Sequence, residues 1–435
     1  MLKGYTILFL FFLIAINNAF SQQYWLQQPC PTTKNLYRII FVDTLFGWAG
    51  GDSGAVLHTT NGGQNWMIEQ TGTTESISDF CFLDRQQGWL VSNDLGTGGK
   101  HFLKTTDGGF NWVSAAIPDS GVHFFAIHYL DASTGFTGGE GWVIYKTTNS
   151  GLKWIRCSVD SSVFMFHNVM RIKFYNSQIG YATGGHKEYA GVIWVTSNGG
   201  LNWTASGVGP DPYNDIKILD SERVIFPGGD FEYGTSIITT TDHGINLLYQ
   251  LTPCTGMATA ISFRTPSEAW MPLTYAQKWA VSLDSGAANS WFSVPTQDSI
   301  IAWDVAFMSP TFGWAVGNVL HSGFTFTGAL MKYNASIIGI VNGQNNSPEN
   351  FVLYQNFPNP FNPSTTIKYY LPRASEVEIK FFDAAGRQVN SVHMNNVSAG
   401  YHSLMFDGGG LASGVYFYNV RSGEYSVFKK MVLIK

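Results

Sequence analysis

Seven positions spaced about 44 residues apart carry the side chains that could do chemistry in this sequence. Each lies just ahead of a short β-rich run, and they are Arg38, Asp79, Ala126, Arg171, Asp215, Ala260 and Asp304. If all seven runs begin at the same mouth of a central channel, these side chains form a ring at that mouth. Two carboxylates about 5–10 Å apart can hydrolyse a glycosidic bond, which makes glycan hydrolysis one candidate chemistry.

The arginines of this ring support a second interpretation, in which the carboxylates form ion pairs and have no part in catalysis. The neighbours in the ring are Arg38 with Asp79, Arg171 with Asp215, and Asp304 with Arg38. The carboxylates could pair with these guanidinium groups or with turn amides, which would give them a structural role. Alternatively they contribute to a polar ligand site at the channel mouth, whose predicted members are Arg38, Asp79, Arg171, Asp215 and Asp304.

Other motifs with chemical meaning are weaker. Gly51-Asp52-Ser53-Gly54 matches the nucleophile motif of trypsin-like proteases, but it lies at a Gly-rich turn without a protease-like histidine, so we interpret it as a turn. The sialidase motif has no full copy, since Phe263-Arg264-Thr265-Pro266 carries Thr in place of Ile. His123 and His128 are isolated in sequence from any carboxylate cluster. We therefore expect surface or loop histidines, with no metal site, catalytic residue or cofactor.

An internal repeat positions the candidate ring. A middle element, typified by Phe46-Gly47-Trp48, recurs seven times with its third residue at 48, 89, 136, 181, 225, 270 and 314. The intervals are 41, 47, 45, 44, 45 and 44 residues. A β-rich run precedes each middle element and a third strand follows it, as expected of a four-stranded unit.

A turn closes most of the units. It follows the Asp-box pattern S/T-x-D/N-x-G-x-x-W, and its copies begin at Thr59, Thr105, Thr147, Thr196, more weakly at Thr240, and in a lengthened form at Ser282. The Asp or Asn side chain can accept hydrogen bonds from turn amides, while the Trp fills the gap beneath the hairpin. These roles are structural, so we do not assign the turns to a ligand.

The sequence thus predicts an all-β fold, a seven-bladed β-propeller plus a small C-terminal antiparallel β-sandwich. The seventh unit lacks its last strand, and the segment around Trp25 aligns with the missing one. Residues 22–334 are therefore predicted to form a propeller whose N-terminal strand closes the last blade. Residues 24–334 resemble BNR/Asp-box propellers of the photosystem II stability-factor type. That resemblance implies binding scaffolds, assembly factors and occasionally glycosidases.

The C-terminal segment changes in character. Residues 335–350 are rich in Gly, Asn and Ser, as in a linker, and 351–435 alternate apolar and polar residues between turns. Two stretches, 353–367 and 411–418, carry motifs that resemble the type A sorting domain of type IX secretion. The resemblance implies export across an outer membrane, with the secretion machinery as a partner. It also implies frequent removal of the domain and attachment to surface lipopolysaccharide.

The remaining features bound the class of protein. Residues 1–21 have the charge, apolar stretch and small residues of a signal peptide, with cleavage expected after Ser21. No other segment approaches the length of a membrane span. The net charge of −5 and the absence of a long Lys/Arg run exclude non-specific nucleic-acid binding. The four cysteines permit three disulfide pairings without requiring any.

These observations favour a secreted or outer-membrane-surface propeller that acts as a binding or scaffold module for an unknown protein or glycan. The alternative is a glycan-active hydrolase that uses the carboxylates at the channel mouth. Free carboxylates in a deep cleft would favour the hydrolase, whereas carboxylates held by Arg38 and Arg171 would favour the scaffold.

Overall fold

The computed structural model divides the chain into two units, Met1–Ser336 and Ile337–Lys435. It describes residues 24–94, 98–160, 167–186, 190–230, 234–297, 299–337, 351–353, 356, 361–423 and 425–434. The predicted signal peptide and most of the predicted linker lie outside these residues. The described residues contain no α-helix, and their 3₁₀ segments are Asp52–Gly54, Thr274–Ala276, Ala288–Ser290 and Ala335–Ile337.

The described part of the N-terminal unit forms seven sheets, each built on four antiparallel strands, and in six of the sheets these four strands follow sequence order. Sheet 7 departs from that order, because its outermost strand is β1 (Trp25–Gln28). Sheet 1 contains β2 (Leu36–Phe41), β3 (Gly47–Gly51), β4 (Val56–Thr59) and β5 (Met67–Glu69). Sheet 2 contains β6 (Ser76–Phe82), β7 (Gly88–Asn93), β8 (Lys100–Thr105) and β9 (Val113–Ala115). Sheet 3 contains β10 (Phe124–Tyr129), β11 (Gly135–Gly139), β12 (Ile144–Thr147) and β13 (Ile155–Arg156).

Sheet 4 has a fifth strand that the repeat does not predict. This strand, β14 (Ser158–Val159), pairs in parallel with the last strand of the sheet. The regular strands of sheet 4 are β15 (Asn168–Phe174), β16 (Gly180–His186), β17 (Ala190–Thr196) and β18 (Asn202–Gly207).

The remaining sheets follow the same plan. Sheet 5 contains β19 (Lys217–Ile218), β20 (Val224–Asp230), β21 (Gly234–Thr240) and β22 (Leu248–Leu251). Sheet 6 contains β23 (Ser262–Phe263), β24 (Ala269–Pro272), β25 (Lys278–Ser282) and β26 (Trp291–Pro295). Sheet 7 contains β27 (Ile300–Ser309), β28 (Phe312–His321), β29 (Thr325–Tyr333) and β1.

The N-terminal strand belongs to sheet 7. β1 pairs antiparallel with β29, with Trp25 opposite Tyr333. The Trp25 indole is buried and stacks on Trp279 of sheet 6 at 4.9 Å between ring centroids. It also meets Trp270 edge-on at 5.9 Å. One side chain therefore joins the first strand of the chain to the two last sheets.

The core of this unit lies between neighbouring sheets. Separate clusters of buried side chains join sheets 7 and 1, 1 and 2, 2 and 3, 3 and 4, 4 and 5, and 5 and 6. The contacts of Trp25 join sheets 6 and 7. Each sheet therefore buries both faces against its neighbours, and the succession returns to its starting point, as in a closed ring.

The Asp-box turns have a common hydrogen-bond pattern in sheets 1 to 5. The hydroxyl that opens each turn accepts the N–H of the residue four positions later at 2.8–3.0 Å, and these hydroxyls belong to Thr59, Thr105, Thr147, Thr196 and Thr240. The Asp or Asn two positions after the Thr accepts a second turn N–H, also at 2.8–3.0 Å. The copy at Thr240, weaker in sequence, has the same contacts.

The C-terminal unit consists of two antiparallel sheets. One contains β30 (Val352–Leu353), β31 (Ser364–Leu371) and β34 (Gly400–Asp407). The other contains β32 (Ser375–Asp383), β33 (Gln388–Val397), β35 (Gly414–Ser422) and β36 (Tyr425–Leu433). Both contribute to one apolar core that includes Ile367, Phe381 and Phe406. This is the predicted β-sandwich.

Candidate functional site

A central cavity of about 390 Å³ is lined by residues from all seven sheets of the N-terminal unit. In five sheets the lining residues come from the first strand, whereas sheets 5 and 6 also contribute Asp215 and Ile261, which lie just ahead of β19 and β23. All five predicted site residues, Arg38, Asp79, Arg171, Asp215 and Asp304, line it. The alignment of the repeat therefore selected side chains that line one cavity.

One detail of their predicted position was wrong. Arg38, Asp79, Arg171 and Asp304 lie inside the first strands, immediately after a break in strand register, and not ahead of the strands. A β-bulge re-aims the side chain that follows it, which turns these groups towards the cavity. Arg171 and Asp215 are buried, at 5% and 6% exposed, whereas Arg38, Asp79 and Asp304 are partly buried.

Each of the three carboxylates reaches across to the next sheet. Asp79 Oδ2 accepts the N–H of Ile127 at 3.1 Å, and Asp215 Oδ2 accepts that of Ile261 at 3.0 Å. Asp304 Oδ2 accepts the N–H of Ile39 at 3.0 Å, which spans the junction of sheets 7 and 1. Two of these amides, Ile127 and Ile39, lie one residue beyond the first paired residue after a break in strand register. The carboxylates thus provide acceptors for backbone N–H groups, whose burial without a hydrogen bond would be unfavourable.

The arginines face the same carboxylates. Arg38 Nε lies 4.0 Å from Asp79 Oδ1, and it donates to the carbonyl oxygen of Ser78 at 3.2 Å. Arg171 lies 3.8 Å from Asp79 Oδ1 and 3.9 Å from Asp215 Oδ1. The predicted pairs Arg38–Asp79 and Arg171–Asp215 are therefore both present at the outer limit of an ion pair. Asp304 contacts sheet 1, which contains Arg38, through the hydrogen bond that its carboxylate accepts from the Ile39 N–H.

Burial dominates the protonation of two of these groups. It raises the pKa of Asp79 to about 7, against the lowering effect of Arg38 and the Ile127 amide. It raises the pKa of Asp304 to about 6, again opposed by Arg38. The mutual repulsion of the carboxylates adds to both shifts.

Three cavity residues were missed by the sequence analysis. Lys173 Nζ donates to Asp215 Oδ1 and to the carbonyl oxygen of Ile216, both at 2.7 Å. Lys217 and His128 also line the cavity. Burial lowers the pKa of His128 to about 4, so this histidine is neutral and lies inside the molecule, contrary to the expected surface position. Each of the three lies two positions after an aligned residue of the predicted ring. Residues two positions apart on a strand face the same side, so the sequence could have indicated them.

The other motifs have structural roles. The protease-like tetrapeptide contains a 3₁₀ turn, Asp52–Gly54. The Asp52 carboxylate accepts hydrogen bonds from Asn35 at 2.9 Å, Tyr37 at 3.0 Å and Ser76 at 2.9 Å. The guanidinium of the sialidase-like motif, on Arg264, is buried against Glu268 and donates to the carbonyl oxygen of Pro310. His123, expected to be isolated, lies 2.9 Å from a Glu140 carboxylate oxygen.

Metal and disulfide chemistry have no support in the described part of the chain. No group of three or more His, Cys, Asp or Glu side chains there could hold a metal ion. Cys30, Cys81, Cys157 and Cys254 are all unpaired, so none of the three possible disulfide pairings is formed.

Comparison with protein families identifies the C-terminal unit first. Residues 355–435 match the family described as the secretion system C-terminal sorting domain. This segment is a sorting domain of type IX secretion. The sorting domain indicates secretion or cell-surface localisation for the chain. No helix within the described residues is both long and apolar enough to cross a membrane.

The N-terminal unit is similar to a photosynthetic assembly factor. Residues 66–212 match the family described as photosynthesis system II assembly factor YCF48. The photosystem II stability/assembly factor HCF136 of rice, Oryza sativa subsp. japonica, is 33% identical over 138 residues. That alignment covers 30% of this chain and 30% of the rice protein.

Solved structures show the same fold. YCF48 from Cyanidioschyzon merolae covers 72% of this chain and 99% of its own length, with 16% identity and a TM-score of 0.57. A structure described as YCF48 bound to D1 peptide covers 72% of this chain and 97% of its own length, with 19% identity and a TM-score of 0.54. The likeness at this identity concerns the propeller fold alone.

Proposed function

We propose that residues 22–334 form a non-enzymatic binding or scaffold propeller, which the sorting domain delivers to the cell surface or the medium. In this proposal residues 1–21 act as the signal peptide, 335–350 link the two domains and 351–435 engage the type IX machinery. The observation that carries the proposal is the bonding of the cavity carboxylates. Each one accepts a backbone N–H of the neighbouring sheet.

The hydrolase alternative has one supporting feature, the raised pKa of Asp79, because a general acid needs a carboxyl group that holds its proton near neutral pH. Its geometry argues against this role. Asp79 Oδ2 accepts the Ile127 amide, and Oδ1 faces both Arg38 and Arg171. Oδ2 is therefore occupied by an amide and Oδ1 faces two positive charges, which supports a structural role for the carboxylates.

The ligand of such a module would be a protein segment or a glycan. The YCF48 propeller has been solved with a D1 peptide, so a peptide is one class of ligand that a propeller of this fold accommodates. The net charge of −5 disfavours nucleic acid as a partner.

A hydrolysis assay combined with binding arrays tests the proposal. We expect no release of reducing sugar from a panel of polysaccharides, and specific retention of at least one glycan or protein on an array. The variants Asp215→Asn and, as a matched control, Asp284→Asn separate the cavity from an exposed turn. Turnover that falls about 100-fold in Asp215→Asn alone, with an unchanged thermal midpoint, would establish the hydrolase instead.

A further inference from the structure

The cavity holds more cationic than anionic side chains. Its carboxylates are Asp79, Asp215 and Asp304, and its cations are Arg38, Arg171, Lys173 and Lys217. The neutral His128 does not change this balance. Arg38, Arg171 and Lys173 all face carboxylates. The excess positive charge therefore resides on Lys217.

Lys217 differs from the other three in its surroundings. Its Nζ lies 5.7 Å from the centre of the Phe263 ring, and within the described residues it has no ion pair or hydrogen bond. Burial, and then the nearby charge of Lys173, lower the pKa of Lys217. The Asp215 charge opposes this shift, but within the described residues the partly buried ammonium group has no direct ion pair, so an added anion would stabilise it. Lys173 and Lys217 thus define a place where an anion would be stabilised by two cations.

The same lysine borders a second hollow. This side recess, of about 470 Å³, lies between sheets 5, 6 and 7 and shares Lys217, Phe307 and Met308 with the cavity. Much of its remaining lining is apolar, including Leu219, Phe263 and Pro266. Met308 is 40% exposed, which leaves apolar surface open at the junction of the two hollows. A ligand with its anionic group at Lys217 could therefore place an apolar group in the side recess.

We propose that Lys173 and Lys217 bind the carboxylate of an amphiphilic ligand, whose apolar part lies in the side recess against Phe263 and Met308. The inference rests on the proposed binding function and names the ligand class for it. A carboxylate accepts charge-assisted hydrogen bonds from two ammonium groups, and a short apolar chain gains from burial. Such a group could belong to a free carboxylic acid or to the C-terminus of a peptide that ends in an apolar residue.

Calorimetric titration of the full chain with hexanoate, hexanol and hexylamine tests the charge requirement. We expect hexanoate to bind at least about ten-fold more tightly than hexanol, and hexylamine not to bind. In a series from butanoate to octanoate, affinity should rise by up to about four-fold per methylene. Equal affinity for hexanoate and hexanol, or no dependence on chain length, would overturn the inference.

Variants locate the site. Lys217→Met keeps the apolar stem and removes the charge, so hexanoate affinity should fall about ten-fold or more. Lys153→Met, which alters an exposed lysine in the turn of sheet 3, should leave affinity within about two-fold. Because Lys217 has no direct ion pair or hydrogen bond within the described residues, its replacement should change the thermal midpoint little. Unchanged hexanoate binding in folded Lys217→Met would contradict the inference.

A final comparison identifies the source of the carboxylate. A hexapeptide ending in leucine is titrated as the free acid and as the C-terminal amide. Binding of the acid but not of the amide assigns a protein tail, whereas binding of hexanoate alone assigns a free acid. If neither carboxylate binds, the inference fails, while polysaccharide turnover in the earlier assay would instead refute the proposed function.

Discussion

The carboxylates of the cavity show how individual residues join one sheet to the next. The first strand of each sheet has a ladder partner on one side only, and a carboxylate from the preceding sheet accepts an amide of that strand. Asp79 accepts the N–H of Ile127 in this way, and Asp304 accepts the N–H of Ile39. The arginines offset part of the cost of burying these charges. The acidic ring is therefore a set of connections between sheets.

The raised pKa of Asp79 makes stability depend on pH. The folded protein binds this proton with a pKa of about 7, whereas the ordinary value is 3.8. The folded state is thus favoured by protonation, and this contribution is lost as pH rises through about 7. In Asp79→Asn the loss of unfolding free energy between pH 5 and pH 8 should shrink by about 3 kcal/mol. Urea denaturation at both pH values measures this difference.

The exposed carboxylate Asp284 provides the control for that experiment. Asp284→Asn should keep the pH dependence of the parent chain. If Asp79→Asn also keeps it, the burial of Asp79 does not govern its protonation.

The sequence could predict these residues because each unit supplies one of them at the same position. It could not predict the bulges, which depend on how a strand fits its neighbour and leave no pattern in residue type. That is why Arg38 and Asp79 were placed ahead of the strands and not within them. Lys173 and Lys217 were missed because only one position per unit was compared, although strand alternation also turns the residue two places further on towards the cavity.

At the scale of elements, the middle strand of one sheet contacts the Asp-box turn of the next sheet. The Trp48 indole of sheet 1 donates to the carbonyl oxygen of Gly108, in the turn of sheet 2, at 2.7 Å. Phe136 of sheet 3 lies under the turn of sheet 4 at Gly200, and Trp314 of sheet 7 lies under that of sheet 1 at Gly63. The middle element of one unit therefore packs against the Asp-box turn of the next.

Glycine at this contact should be needed for space as well as for backbone conformation. A Cβ on Gly200 would lie 2.2 Å from the Phe136 ring, at φ +78°. Gly141 has a similar φ, +65°, but nothing lies within 4 Å of its Cβ position. Gly200→Ala should therefore reduce the free energy of unfolding by about 2 kcal/mol more than Gly141→Ala. Equal losses in chemical denaturation would show that the turn does not pack tightly on the neighbouring sheet.

The regular spacing of these elements is what made the sheets predictable, even in the fifth and sixth units, where the motifs are degraded. β14 was not predictable in this way. It consists of two residues that pair in parallel with β18, outside the repeat. Its position depends on the path of one connection, for which the other units offer no precedent.

At the scale of the whole molecule, the sorting domain determines where the propeller acts. Removal of residues 351–435 should prevent export of the chain across the outer membrane, because the signal for the secretion machinery is lost. Cell fractionation, with a second exported protein as the control, measures the effect. Equal amounts of the full and shortened chains in the medium or at the surface would contradict the assigned role of the domain.

The cavity, the carboxylate connections and the proposed ligand site all require that the ring of sheets be closed by β1. Hydrogen exchange tests this most directly, because amides in a paired strand exchange slowly while those of an unpaired segment do not. We predict that the segment Trp25–Gln28 is protected as strongly as its partner β29. Exchange of that segment within seconds, with β29 protected, would contradict the closed ring.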